Sequence, residues 1–367
     1  MAGKRVVGLV IIWLIIINVF AFYTLNRFNL SPDTAYVWIN PDEFNQNKNL
    51  NIIDLRVHWD SFWYLKIAEG GYEYKPGQMT SIAFFPLYPS LIWLFSKLPL
   101  ITPALAGWLI SMAALLIGMI FFDKLIRQFH SDINPVEPVL LLLIFPTAFF
   151  LNSVYTESLF LALSIIFFYY LLRRQFLLAA VFVSFASLCR INGLFLFIPF
   201  IYEYFNTFGV KKFLNSNIAS FLIAPLGIVS FMLYQYMQFK EPLAFLKSQM
   251  EWGRQFSLNT QHFQLITPAA YANLATDVLF LAVAILSGLF LLRYIKVSYG
   301  LYVLATVLVA VSTGTLMSIG RLTLILFPIF ILIASFKNSQ FKFGWSLLST
   351  LLLAVYTILF VNNYWAG

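Results

Sequence analysis

The chain has 367 residues, 61% of them hydrophobic and 10% charged, against about 45–50% and 25% in soluble globular proteins. Mean hydropathy is +0.83, too little polar surface to cover a water-facing body, so the chain reads as an integral membrane protein. A single cysteine, Cys189, excludes a disulfide framework or thiolate metal cluster, and the net charge of +8 signals basic cytoplasmic loops rather than nucleic acid.

The first apolar run, 6–22, follows Lys4 and Arg5 and lacks a small-x-small cleavage site. It reads as a retained span with a cytoplasmic N-terminus. A span needs about 20 apolar residues. Further candidates are 104–123, 138–151, 154–172, 176–190, 193–208, 213–238, 271–293, 298–316, 321–336 and 343–362; 138–172 or 176–208 could instead be broken long helices. The run 83–98 is apolar but interrupted by Pro86 and Pro89. If it does not cross, the short loops assigned to the cytoplasm carry 12 basic and four acidic residues, and the other side carries 11 of each. That split is what the positive-inside rule requires. If it crosses, Arg173, Arg174, Lys211 and Lys212 fall outside. The expectation is one all-α polytopic membrane domain over 1–367, with about 11 transmembrane helices (10–12). Its first outer loop is 26–82 and its second large one 239–270.

Loop 26–82 contains seven of the fifteen acidic residues. Within it, 56–72 reads as a helix lying at the lipid interface. Trp59, Phe62 and Trp63 share one face, suited to the headgroup region, and Lys66 snorkels. Asp60 and Tyr64, four apart, point together away from that face. Asp60 either caps the helix start or offers a carboxylate above the bilayer. The Pro-bent stretch 83–89, which contains Tyr88, is irregular backbone and suits either a cavity wall or a helix entry.

Residues 146–158 break two apolar runs, with Asn152 or Ser153 as the cap of the next helix. Glu157 then lies in the first turn, where the helix dipole favours an anion by ~0.3–1 kcal/mol. An ionisable residue at a span end also calls for a partner, and Arg190 and Arg321 are the natural ones. Arg190, in Cys189-Arg190-Ile191-Asn192-Gly193, splits a long apolar run; Arg321 sits where two runs meet. Each alone could be a helix-end arginine. Together they form a credible clamp for a lipid phosphate.

Several motifs taken in order resemble one family, the PIG-V mannosyltransferases. They are His58-Trp59-Asp60, Ile67 to Tyr72, Phe84 to Pro89, Tyr155-Thr156-Glu157-Ser158, and Arg190-Ile191-Asn192-Gly193. Residues 242–254, ending in Trp252-Gly253-Arg254, resemble the bacterial branch. The family's eukaryotic members carry Ser where this chain has Ile191.

The resemblance implies a GT-C-type glycosyltransferase fold and a polyprenyl-phosphate sugar donor used at the extracytoplasmic face of the cell membrane, here a bacterial plasma membrane. It implies transfer of a sugar, expected to be mannose, to a hydroxyl of a lipid or glycan acceptor. Asp60 is then the general base, with His58 and Glu157 as catalytic companions. Arg190 and Arg321 neutralise the leaving phosphate. Trp59, Tyr64, Lys66, Tyr88, Tyr155, Asn192 and Arg254 are the remaining expected substrate contacts. Partners are the donor, the acceptor and membrane lipids, not nucleic acid. No Asp-x-Asp triplet supports a nucleotide-sugar donor, and the sequence establishes no cofactor. A divalent cation held by Asp60 with Glu157 or His58 stays open. The rival reading is a lipid or glycolipid transporter; it expects matching halves and midplane charges, and the sequence has neither.

Overall fold

The computed structural model describes residues 2–25, 52–209, 217–254, 268–313 and 315–366. Asp33, Asp42, Glu43, Lys211, Lys212 and His262 lie outside them, as do much of the first loop and 255–267 of the second. Among the described residues the fold is all helical. The helices are α1 (Ala2–Thr24), α2 (Asp60–Gly70), α3 (Leu87–Phe95), α4 (Pro103–Phe129), α5 (Val136–Leu143), α6 (Glu157–Leu172), α7 (Phe176–Cys189) and α8 (Phe197–Phe208). They continue with α9 (Ser220–Ile223), α10 (Leu226–Phe239), α11 (Ala244–Glu251), α12 (Pro268–Phe290), α13 (Val297–Ser312), α14 (Ile319–Ile325), α15 (Pro328–Ser335) and α16 (Ser339–Val361).

Five helical segments among the described residues are long and apolar enough to cross a membrane: 3–24, 103–129, 220–239, 271–295 and 339–361. On α1, Val6, Val10, Trp13, Ile17 and Ala21 face the protein, while Ile12, Ile15, Ile16, Val19 and Phe22 are more than half exposed. A face of that kind suits lipid and not water. The longest helix, α4, spans about 40 Å. It starts cleanly because Thr102 Oγ1 accepts from the Leu105 amide at 3.2 Å and Pro103 occupies the first turn, where no donor is lost.

At the centre stands α6, apolar on every side and buried along nearly its whole length, as an all-round hydrophobic helix must be. It packs closest on α4, where a Cβ on Gly118 would meet the Ala162 Cα at 3.1 Å. Small residues allow such approach where lipid supplies no hydrophobic drive between helices.

Several apolar runs are broken rather than continuous. The run 138–151 resolves into α5, a turn at Ile144–Thr147 and a 3₁₀ turn at Ala148–Asn152. The run 321–336 divides into α14 and α15 at Pro328, which cannot donate within a helix. The run 83–98 contains only α3, whose nine residues reach about 14 Å, well short of a bilayer core.

Candidate active site

The site lies where the loop before α2 meets the turn before α6. Two hydrogen bonds join them: the Val154 amide donates to the Arg56 carbonyl at 3.0 Å, and the Tyr155 hydroxyl donates to the His58 carbonyl at 2.9 Å. Asp60, the first residue of α2, is thereby held above Glu157, the first residue of α6. Thr156, not Asn152 or Ser153, precedes α6 as its N-cap residue, with no side-chain cap. Asn152 bonds instead to Asn18 and to the Trp108 indole.

Charge pairing organises the centre. Arg321 reaches Glu157 Oε1 through Nε at 2.9 Å and through Nη2 at 2.8 Å, and Asp60 Oδ2 through Nη1 at 2.7 Å. Its guanidinium also lies 4.7 Å from the Phe150 ring centre and 4.8 Å from that of Tyr155. Arg190 donates through Nη1 to Glu157 Oε1 at 2.7 Å and to Thr156 Oγ1 at 2.9 Å. Glu157 is fully buried, and a buried carboxylate calls for the pairing that the two guanidinium groups give its Oε1. Asp60 differs, because its side chain is 22% exposed and only one of its two oxygens accepts from Arg321.

Beside this cluster is a cavity of about 290 Å³, walled by Trp59, Asp60, Trp63, Tyr64, Phe84, Arg190, Asn192, Trp252, Arg254, Arg321 and Trp365 among others. Its chemistry is mixed: one carboxylate, three guanidinium groups and a ring of indoles. Arg190 keeps Nε and Nη2 without hydrogen-bond partners among the described residues, and the Arg254 guanidinium has none there at all.

Seven of the twelve expected residues therefore line one cavity: Trp59, Asp60, Tyr64, Arg190, Asn192, Arg254 and Arg321. His58, Tyr155 and Glu157 stand behind that wall. His58 is buried, its Nδ1 lies 2.7 Å from Asn363 Oδ1, and burial pushes its pKa down to about 4, so the imidazole is neutral near pH 7. Two residues lie elsewhere. Lys66 pairs with Glu73 at 3.0 Å on the surface. Tyr88 is fully buried and bonds to the Gly107 carbonyl and to Ser111, both at 2.8 Å.

The face of α2 expected to meet lipid meets protein instead. Trp63 stacks on Phe84 with centroids 5.8 Å apart and stands edge-on to Trp252 at 5.3 Å. Each nitrogen of the Arg321 guanidinium is already committed to a carboxylate, and Arg190 and Arg254 border the same cavity. Residues missed by sequence reading are Thr156, Trp252 and Trp365. Trp252 neighbours a singled-out arginine and was within reach; Trp365, at the far end of the chain, carries no local signal. Among the described residues no three His, Cys, Asp or Glu side chains gather as metal ligands, and the cation between Asp60 and Glu157 is Arg321.

The all-helical bundle that carries this carboxylate–arginine cluster and aromatic cavity shares its fold with a solved structure. ArnT from Cupriavidus metallidurans, bound to undecaprenyl phosphate, superposes with a TM-score of 0.56 at 13% identity over 95% of this chain and 64% of its own. The chain thus spans just under two thirds of ArnT. The oligosaccharyltransferase of Archaeoglobus fulgidus in its apo form matches at a TM-score of 0.46 and 13% identity, over 98% and 56%. No curated protein sequence matches significantly. Residues 4–255 match the profile of the mannosyltransferase (PIG-V) family, and the chain belongs to it.

Proposed function

We propose that the protein transfers one mannose from a polyprenyl-phosphate donor to a hydroxyl of a lipid or glycan acceptor, with inversion at the sugar carbon. Asp60 is the general base. Arg321 anchors Oδ2, and Oδ1 accepts the acceptor's proton within about 2.6–3.2 Å in the reactive complex. The acceptor oxygen then attacks the anomeric carbon while the bond from that carbon to the phosphate oxygen breaks. Negative charge grows on the leaving phosphate, where Arg190 and Arg254 stabilise it. The indoles of Trp63 and Trp252 offer apolar faces to the sugar ring.

The observation that carries this reading is Asp60 itself, a carboxylate with one oxygen pinned by a buried arginine beside a cavity that Arg190 and Arg254 also line. The site faces away from the cytoplasm in this reading, because Lys4, Arg5, Lys124, Arg127, Arg173, Lys337 and Lys342 belong to the opposite helix ends, as positive-inside topology requires.

The test is transfer of labelled mannose from synthetic polyprenyl-phosphate-mannose by purified enzyme. Asp60→Asn is expected to lower kcat by about 10²–10⁴-fold with the protein still folded. Arg254→Ala is expected to act through the donor, raising its KM and lowering kcat/KM. Full activity in Asp60→Asn removes the base from this account.

A further inference from the structure

His58, Trp59 and Asp60 are held in a backbone arrangement that local sequence does not favour. Trp59 has φ 52° and ψ −114°, in a region that a bulky L-residue adopts only when its surroundings over-determine it. The structure supplies those surroundings from two directions. From below, Tyr155 binds the His58 carbonyl at 2.9 Å. From the side, the contacts come from α16 and the residues that follow it, roughly 300 positions away in sequence.

The route of that segment is built in. At the end of α16 the Asn362 amide donates to the Ile358 carbonyl at 3.2 Å, and its side-chain amide donates to the same carbonyl at 2.8 Å. Asn363 then takes φ +67°, a left-handed conformation that asparagine tolerates better than most residues. The Tyr364 amide returns to the Leu359 carbonyl at 2.8 Å, and the chain reverses over the site. Asn363 Oδ1 accepts from His58 Nδ1 at 2.7 Å, while Phe360 stands edge-on to the His58 ring at 4.9 Å. Trp365 stands edge-on to Trp59 at 5.3 Å and itself lines the cavity. Ala366 behind it is 2% exposed. All of this lies beyond residue 255, where the family match ends.

We propose that residues 362–366 form part of the active site. Asn363 positions the His58–Trp59–Asp60 turn through the His58 imidazole, and Trp365 both braces Trp59 and closes one wall of the cavity. Asn363 is a positioning residue, since it acts through His58 and does not line the cavity. Trp365 is a wall residue facing the sugar. The proposal rests on Asp60 being the base, and it extends the site to a segment the family profile does not cover.

The experiment uses the full chain with Asn363→Ala, Asn363→Asp, Trp365→Ala and Trp365→Phe, each checked for monodispersity in detergent. Two readouts are taken. The first is mannose transfer from polyprenyl-phosphate-mannose with kcat and donor KM separated. The second is the rate at which diethyl pyrocarbonate modifies His58, followed by peptide mass spectrometry; it requires no turnover. Displacement of a catalytic group by about an ångström costs on the order of 100-fold. Asn363→Ala is therefore expected to lose about 100-fold in kcat with donor KM nearly constant, and to raise the rate of His58 modification by removing its partner. Asn363→Asp, which keeps the acceptor, and Trp365→Phe, which keeps an aromatic face, are expected to recover most of the kcat lost by the alanine variants. Wild-type kcat in both alanine variants overturns the proposal, as does unchanged His58 modification. If the wild-type protein transfers no mannose at all, the proposed reaction fails, and the His58 readout alone still decides whether the segment holds the turn.

Discussion

Glu157 Oε1 receives both Arg190 and Arg321, and a single buried carboxylate thus holds two cations that would otherwise repel. The helix dipole at the start of α6 adds ~0.3–1 kcal/mol for an anion there, far less than the cost of leaving a buried guanidinium unpaired, which is several kcal/mol. Pairing, and not the dipole, therefore decides why an acidic residue opens this helix. Glu157→Ala is expected to lower stability by about 3–5 kcal/mol and to release Asp60 through a loosened Arg321. Thermal unfolding in detergent measures the first effect, and mannose transfer the second. Glu157, Arg190 and Arg321 were legible in the sequence because each lies at a break in or between apolar runs, where a charge is costly without a reason, and Asp60 because it shares a helix face with Tyr64 in the first outer loop. Their division of labour was not. Whether an arginine faces a ligand or a carboxylate depends on which oxygens reach it, and residues 60, 157 and 321 come together only in the folded chain.

At the scale of elements, the placement of Arg190 depends on how sharply the chain turns after α7. The 3₁₀ turn Ile191–Leu196 folds back against that helix, and a Cβ on Gly193 would meet the Ala186 carbonyl carbon at 2.3 Å. Backbone offers no flexible end that could give way. Gly193→Ala is expected to destabilise by about 1–3 kcal/mol and to shift Arg190 away from Glu157, so both the melting temperature and the transfer rate fall together. A wild-type melting temperature in Gly193→Ala would show that the turn relaxes freely. Long uniform helices such as α4 and α16 were readable from hydropathy. The breaks within 138–172 and 176–208 stayed an open alternative and that within 321–336 was not foreseen, because a run of apolar residues does not distinguish a continuous helix from two short helices and a turn buried in protein. The lipid-facing assignment of Trp63 failed for a similar reason: helical periodicity identifies an apolar face but not its partners, and Phe84 and Trp252 come from later segments.

Across the whole molecule the two ends of the bundle differ in kind. One end carries the cavity and its arginine–carboxylate cluster. The other is tied by peripheral contacts: Lys342 to Glu137 at 2.5 Å, Lys296 to Glu203 at 3.7 Å, and His130 to Tyr299 at 3.2 Å. The expectation that the basic loops are cytoplasmic rests on charge counting alone. It is testable because the single cysteine, Cys189, is buried and provides little reactive background. Lys66 and Lys337 are both exposed, at the cavity end and at the opposite end respectively. In intact cells a membrane-impermeant maleimide is expected to label Lys66→Cys, whereas Lys337→Cys is labelled only after permeabilisation. The reverse pattern would turn the active site toward the cytoplasm and require a donor presented on that leaflet. Labelling of both sites in intact cells would mean that the two ends do not lie on opposite sides of one bilayer, contrary to a bundle whose α1, α4 and α16 each have the length and apolarity to cross it.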